Sequence, residues 1–443
     1  MRTSFALFSA LAAIAAAAPA PQMLDFGAVL DAPAPSATGP PVGVSNDTAV
    51  YNPASAAAAA TSAVVAVETA SVTGVAASAA AASSAPAKLR LAKRKDSSNE
   101  DSTSTSISTS ISTSTAKSSK SSSSLIPSAT STTVSINTVS GTATTSSTSA
   151  CPTVPEAGTY CGFINPEDPC AIQPDGYGPK VTPDTTGAFL AYPDFHTTAK
   201  KTKTPKGYVN TFTDLNDAVN ANSYLGLHTL STYDTLACSQ LCDNTTLCTA
   251  FNIYIERDPS LNPTVGQCDN PSSITNYKCT LWGSGVDAAA AVNAGQTRAS
   301  FVVVITGSNG YAKTNNTIPA RCAGYEAPKK CAGAINAPSY NLGAKFFPGP
   351  YDPSVCAAYA TAQTAYNKAH KSSSSSGYVP CNMFNAYMVK KNSIAQGTYC
   401  TLYDTPLDSS WGSYKGGWAG QDYFSIETSW TYSLSEQKDG TDN

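Results

Sequence analysis

The sequence predicts an α+β fold: two disulfide-stapled units in tandem, each a helix with strands, after a long disordered N-terminal region. Three observations carry that expectation. All thirteen cysteines lie at or beyond Cys151, the pattern of a disulfide framework in an oxidising compartment. A cysteine-dense stretch from Cys238 to Phe301 is followed by a second that repeats its motifs in the same order. Most of what precedes Cys151 is Ala, Ser, Thr and Pro, which lacks the apolar mass to offset the entropy of ordering a backbone.

Taken from the start, Met1 to Ala20 reads as a secretory signal peptide: Arg2, then FALFSALAAIAAAA, then small residues before Pro19 and Pro21. Residues 21–94 read as a disordered pro-like segment. Its run from Ala54 to Ala87 holds only one ionisable group, Glu68. That run is Ala, Ser and Thr rather than Leu, Ile or Phe, so membrane insertion is weakly driven and no span is expected after signal removal. The segment ends at Lys93-Arg94, which reads as a dibasic processing site, or more blandly as part of a solvated basic cluster. Residues 95–150 are almost entirely Ser and Thr, an O-glycosylated stalk that holds a domain away from a surface. Residues 151–206 form a Cys/Pro-rich collar with Cys151, Cys161 and Cys170. Zinc could use such thiolates, but with no histidine among them and an oxidising compartment, disulfides are expected.

The first unit spans 207–320. Leu215, Ala218, Val219 and Asn222 share one side of a helical stretch over Asp214–Asn222. Cys238 and Cys242, four apart, project from one face of a second helix. Cys248 opens TAFNIYI, where Phe251, Ile253 and Ile255 alternate with Asn252 and Tyr254, the period of a half-buried strand. Cys279 starts a second strand and Phe301–Ile305 reads as a third. Asn309-Gly310 is a turn signal at the unit's end.

The second unit, 321–443, matches in four blocks. Tyr351-Asp352 before Cys356 answers Tyr233-Asp234 before Cys238. CNMFNAYMVKKN from Cys381 answers CTAFNIYIERDP, with Phe384, Asn385 and Tyr387 opposite Phe251, Asn252 and Tyr254. TYCTLY at Cys400 answers YKCTLW, and Ala419-Gly420-Gln421 answers Ala294-Gly295-Gln296. Asp352-Pro353 is a helix start with Asp at the cap and Pro in the first turn. Val355, Tyr359, Ala362 and Tyr366 follow as its apolar stripe, and SSSSSG after Lys371 marks an excursion. The polar residues from Ser435 onward give no expectation of a lipid anchor.

With the CxxxC helix, the CTAFNIYIERDP strand and the CTLW strand in this order, Gly207–Tyr311 resembles the apple/PAN-like modules of secreted fungal proteins. The second copy is similar more loosely, lacking counterparts of Cys242 and Cys268. The resemblance implies one helix cradled by a curved antiparallel sheet, with Cys238 bonded to Cys279 and Cys242 to Cys248. The repeat carries the first pairing over to Cys356–Cys400. It also implies a non-catalytic module, since such domains generally bind proteins or carbohydrates. Cys151, Cys161, Cys170, Cys268, Cys322, Cys331 and Cys381 stay unassigned. The odd total leaves at least one thiol free or paired between chains, the second reading being a disulfide-linked dimer.

The chemistry legible in the residues is sparse. A formal net charge of −3 argues against a nucleic-acid footprint, which needs a clustered basic face. Three histidines, and no nucleophile elbow, zinc-protease helix or phosphate loop, leave no catalytic set, no cofactor and no metal expected. Glu256-Arg257-Asp258-Pro259 reads either as two glycosidase carboxylates or as a charged turn in which Arg257 pairs with an acid; the turn is preferred because the second copy carries Val389-Lys390-Lys391-Asn392 there. Sugar binding asks for exposed aromatic faces with polar neighbours. The candidates are Trp411, Trp418, Tyr414 and Tyr423 of the Gly-rich loop, with Tyr254 and Trp282. Asn46, Asn244 and Asn315 open N-glycosylation sequons. The expected protein is a secreted, extracellular or wall-associated binding module for a polysaccharide or glycoprotein. A structural wall glycoprotein and a secreted hydrolase are the alternatives.

Overall fold

The computed structural model describes residues 24–34, 46–48, 51–64, 166–314, 318–371 and 377–441, which all belong to one compact unit. The expected signal peptide, Lys93-Arg94, the stalk, Cys151, Cys161, Asn315 and the Ser run 372–376 lie outside the described residues.

Two mixed helix-and-sheet layers account for most of the fold. The first sheet uses β1 (Asn46–Thr48), β2 (Tyr208–Leu215), β4 (Tyr224–Leu230), β5 (Ala250–Pro259), β6 (Ser273–Trp282) and β10 (Val304–Lys313). Its order is β1-β4-β6-β5-β10-β2, antiparallel throughout. Helix α5 (Thr235–Asn244) packs on one face. Short strands β3 (Ala218–Val219) and β7 (Ala291–Asn293) pair with each other, as do β8 (Thr297–Arg298) and β9 (Phe301–Val302). The second sheet uses β11 (Lys329–Cys331), β12 (Asn341–Pro348), β13 (Met383–Lys391), β14 (Ile394–Tyr403) and β16 (Asp422–Ser433) in the order β11-β16-β13-β14-β12. Strand β15 (Gly416–Ala419) hairpins onto β16, and α6 (Pro353–Ala369) packs against β13 and β14.

The helices start where the local chemistry says they should. The Asp234 carboxylate accepts from the amides of Leu236 and Ala237, and that of Asp352 accepts from Ser354 N ahead of Pro353. Each cap satisfies amides that the first helical turn leaves without partners. Both helices are riveted to the strand beneath them through Cys238–Cys279 and Cys356–Cys400, while Cys242–Cys248 ties the end of α5 to the start of β5. A fourth bond, Cys170–Cys268, joins the collar to the β5–β6 connection.

The two layers share bonds at matched positions. Asn252 accepts from Val219 N and donates to Ser308 Oγ and Asn309 O. Asn385 accepts from Ile335 N and donates to Ser429 Oγ and Trp430 O. The Tyr233 hydroxyl donates to Ile253 O, and that of Tyr351 to Ala386 O. Phe251 stacks on Tyr311 at 4.9 Å, and Phe384 on Tyr432 at 4.7 Å. Trp282 Nε1 and the Tyr403 hydroxyl donate to the Thr two residues before them.

Four expectations change. Asp214–Asn222 is not a helix: its residues belong to β2, β3 and the loop after them. Pairing of β2 with β10 overrides a spacing that also suits a helix. β5 is buried on both faces: on the side away from α5, Ala218 of β3 and Ile305 of β10 pack on Tyr254. Glu256-Arg257-Asp258-Pro259 is the extended end of β5, so Glu256 and Arg257 point to opposite faces. Arg257 does pair with an acid, Asp184 at 2.7 Å, while lying 4.2 Å over the Phe301 ring. Asn309-Gly310 lies inside β10 at a register shift, not at a turn.

The region 21–94 is also not uniformly disordered. Helix α1 (Phe26–Leu30) lays Leu24 and Val29 on the Phe346–Tyr387–Tyr399–Phe424 face of the second sheet. β1 extends the first sheet at β4. Helix α2, covering 53–64, buries Ala60 and Val64 in a core that also contains Trp282, Val355 and Tyr359. That core is continuous across both layers. They meet closely at Gly283, where a Cβ would lie 2.2 Å from Pro350 Cβ, so only glycine fits there. Lys390 reaches from β13 to Asp287 of the first layer at 3.2 Å and to Glu427 at 2.8 Å. In the collar, α3 (Thr186–Leu190) and α4 (Pro193–Lys201) pack Phe189 and Phe195 against Ile255.

Candidate functional site

The Gly-rich loop is held rigidly from beneath. Ala334 and Tyr414 exchange backbone bonds at 2.8 and 3.1 Å, and Asn336 N donates to Trp411 O. Beyond that anchor, β15 and β16 form a hairpin in which Trp418 is directly opposite Tyr423, with Gly420 in the left-handed region at its tip. Directly opposed aromatics on one face interact; their rings lie 5.1 Å apart, and Trp418 is 69% exposed. The tip is pinned to the β13–β14 turn. Asn392 donates to Asp422 Oδ1 at 2.7 Å and accepts from Tyr423 N, while Lys391 pairs with Asp422 at 3.0 Å. Those bonds from Lys391 and Asn392 hold the Asp422 carboxyl below its ordinary range. The result is an exposed aromatic platform bordered by a carboxylate, an amide and an ammonium group.

Trp411 is 44% exposed and stands edge-on to Tyr340 at 6.2 Å, a second aromatic pair. Tyr414 is half-buried among Ala334, Phe424 and Tyr399. Tyr254 and Trp282 are not accessible to any ligand: they are 2% and 3% exposed. Tyr254 packs against Ala218 and Ile305, and Trp282 against Tyr224. Both lie in the sandwiched interior, where aromatic area serves packing. Tyr340 and Asn392 escaped the sequence reading. Tyr340 lies far from the Gly-rich loop in the chain, and Asn392 sits at a position already discounted for catalysis.

Glu256 and Asp258 share one face of β5. Burial, and then the adjacent Asp258 carboxylate, push the Glu256 carboxyl well above the ordinary range, so it stays protonated and hydrogen-bonded to Asp258. Asn276 donates to Asp258 Oδ2 at 2.8 Å and Lys278 lies 3.7 Å from the same atom. Two carboxyls in contact leave no room for a sugar ring, whereas glycoside cleavage needs about 5 Å or more between them. Among the described residues, no three His, Cys, Asp or Glu side chains gather as a metal ligand set.

Among the described residues three cysteines are unpaired, Cys322, Cys331 and Cys381, and all are buried. Burial pushes their thiols up to about 12, 11 and 12 respectively, which suppresses the thiolate that disulfide exchange requires. At 8%, 5% and 1% exposure, with Cys322 recessed in a cleft wall, none of the three projects towards a second chain. Cys381 holds the place of Cys248, and its partner position is Ala360. Asn244 is exposed at the end of α5, as its sequon requires.

A cleft of about 910 Å³ opens where α6, the loop after α5, residues 318–325 and α2 converge. Comparison with family models, with curated proteins and with solved structures finds no match.

Proposed function

We propose that this chain is a secreted or wall-associated binding protein without catalytic activity, built from two tandem apple/PAN-like modules displayed on a glycosylated stalk. Its ligand is an extracellular polysaccharide or a glycoprotein glycan, held at the Trp418–Tyr423 platform. The reading rests chiefly on Trp418: a large aromatic face left in solvent on a braced hairpin, beside the Asp422 carboxylate and the Asn392 amide. A sugar ring offers such a site an apolar face for stacking and hydroxyls for orientation. The shared Asn, Tyr and aromatic-stack bonds of the two layers support a duplicated unit, and the disulfides suit an oxidising compartment.

The test is retention of the full-length protein on insoluble chitin, β-glucan and cellulose beside Trp418→Ala and Trp411→Ala variants. Both side chains are exposed, so the variants keep their fold. Retention on one polymer, lost in Trp418→Ala, supports the reading and locates the site. Equal retention of all three proteins sinks it in favour of a structural wall glycoprotein.

A further inference from the structure

The two layers differ most tellingly on the outer faces of their helices. Offset by the matched caps Asp234 and Asp352, the exposed α5 residues Gln240, Asp243 and Asn244 correspond to Ala358, Thr361 and Ala362 of α6. Apart from Leu236, the α5 face is solvated and polar. The other carries only short side chains, alanines and Thr361, and it floors the cleft of about 910 Å³. Side chains this small cannot fill the space that Leu247 and Ile318 wall from other sides, so the cleft stays open and mostly apolar. Its volume falls within the range of small-ligand pockets, about 300–1,000 Å³.

Two cations reach this cleft, and their states differ. Lys313 is occupied, paired with Asp243 at 3.1 Å and donating to Cys248 O. Arg321 is exposed at the wall and donates only to a carbonyl, Tyr325 O at 3.3 Å; among the described residues no carboxylate pairs with it. Guanidinium groups favour carboxylates through two parallel charge-assisted bonds.

We propose that this cleft binds an amphiphile with a long apolar chain and a single carboxylate, a fatty-acid-like molecule. The chain lies along the Ala358–Ala362 floor and the carboxylate pairs with Arg321. Thr361 marks where the discrimination is set. In the first layer the Tyr208 hydroxyl donates to Asp243 Oδ1 at 2.8 Å, whereas in the second Tyr325 meets Thr361. The carboxylate present in one layer is replaced by Thr361 in the layer that carries the cleft; the carboxylate that does line it, Asp352, is buried and already accepts from the Tyr51 hydroxyl and from Ser354.

The experiment titrates the full-length protein with a polyene fatty-acid probe that brightens on leaving water, then competes with hexadecanoic acid and with hexadecan-1-ol. Saturable micromolar binding is expected, with the acid displacing the probe roughly tenfold better than the alcohol. Arg321→Gln, at an exposed position, abolishes that preference. Thr361→Asp recreates the tyrosine–aspartate bond of the first layer, so it keeps the fold while weakening the acid by about tenfold or more. The proposal is overturned by absence of saturable binding, by an alcohol that binds as tightly as the acid, or by affinity unmoved in both variants. None of these readouts depends on the aromatic platform.

Discussion

Asn385→Ala removes three hydrogen bonds at a site where no solvent can replace them. The side chain is fully buried between β13, β16 and the 333–336 loop, accepting from Ile335 N at 2.9 Å and donating to Ser429 Oγ at 3.0 Å and Trp430 O at 2.9 Å. Each bond contributes about 0.5–1.5 kcal/mol net, and the orphaned Ile335 amide adds a desolvation cost, so the loss is about 2–4 kcal/mol. In a folded unit of this size that lowers Tm by roughly 3–7 °C, read by calorimetry or by urea unfolding. Asn252→Ala removes the matched triad in the other layer and is expected to cost a similar amount. Because both layers share one core, each variant shifts a single cooperative transition. A loss below about 1 kcal/mol for Asn385→Ala would show that the amide triad does not organise the layer. Two separate transitions would show that the continuous core does not couple the two.

Glu256 makes stability depend on pH. Its folded pKa is raised to about 8, so between the ordinary carboxylate range and that value the folded protein keeps a proton that the unfolded chain releases. Stability therefore falls as pH rises through that window, by at most about 1.4 kcal/mol per unit. Glu256→Gln mimics the protonated acid and is expected to flatten this part of the Tm–pH profile; an unchanged slope would refute the assignment. Lys390→Met removes the ammonium group that joins Asp287 to Glu427 across the layers. With both carboxylates about a third exposed, the cost is about 1–3 kcal/mol. High salt should narrow the gap to wild type in urea unfolding, and equal stability at every salt concentration would exclude the bridge.

Much of the architecture was legible because it rests on local chemistry. Aspartate caps, the CxxxC spacing and the alternation in TAFNIYI act over a few residues, and they place α5, α6, β5 and β13 where the structure has them. The exposed Trp411 and Trp418 were legible for the same reason, since Gly-rich loops seldom bury their aromatics. Tyr254 and Trp282 were misread because exposure was judged from one strand, whereas Ala218 and Ile305 cover Tyr254 and the shared core takes in Trp282 from segments distant in the chain. β2 and β3 were misread because Leu215, Ala218, Val219 and Asn222 suit a helix as well as extended chain; pairing of β2 with β10 and of β3 with β7 decided between them. The cleft left a trace in the sequence, namely polar residues on α5 against Ala358 and Ala362 on α6. It became meaningful only once other segments walled the space.

The sequence by itself determined the helix starts and the repetition of one set of motifs, since each depends on residue identity and short spacing; three staples were expected from the resemblance and the repeat, and Cys170–Cys268, 98 residues apart, came from the tertiary structure. Tertiary structure alone decided what covers those elements. Residues 24–34 and 51–64 have a composition that permits disorder, yet Val29, Ala60 and Val64 are buried because apolar faces hundreds of residues away accept them. The bond from Asp25 N to the Tyr399 hydroxyl spans 374 residues. Partners that distant leave no mark on local pattern, since a weakly apolar segment orders only where a complementary surface offsets its entropy.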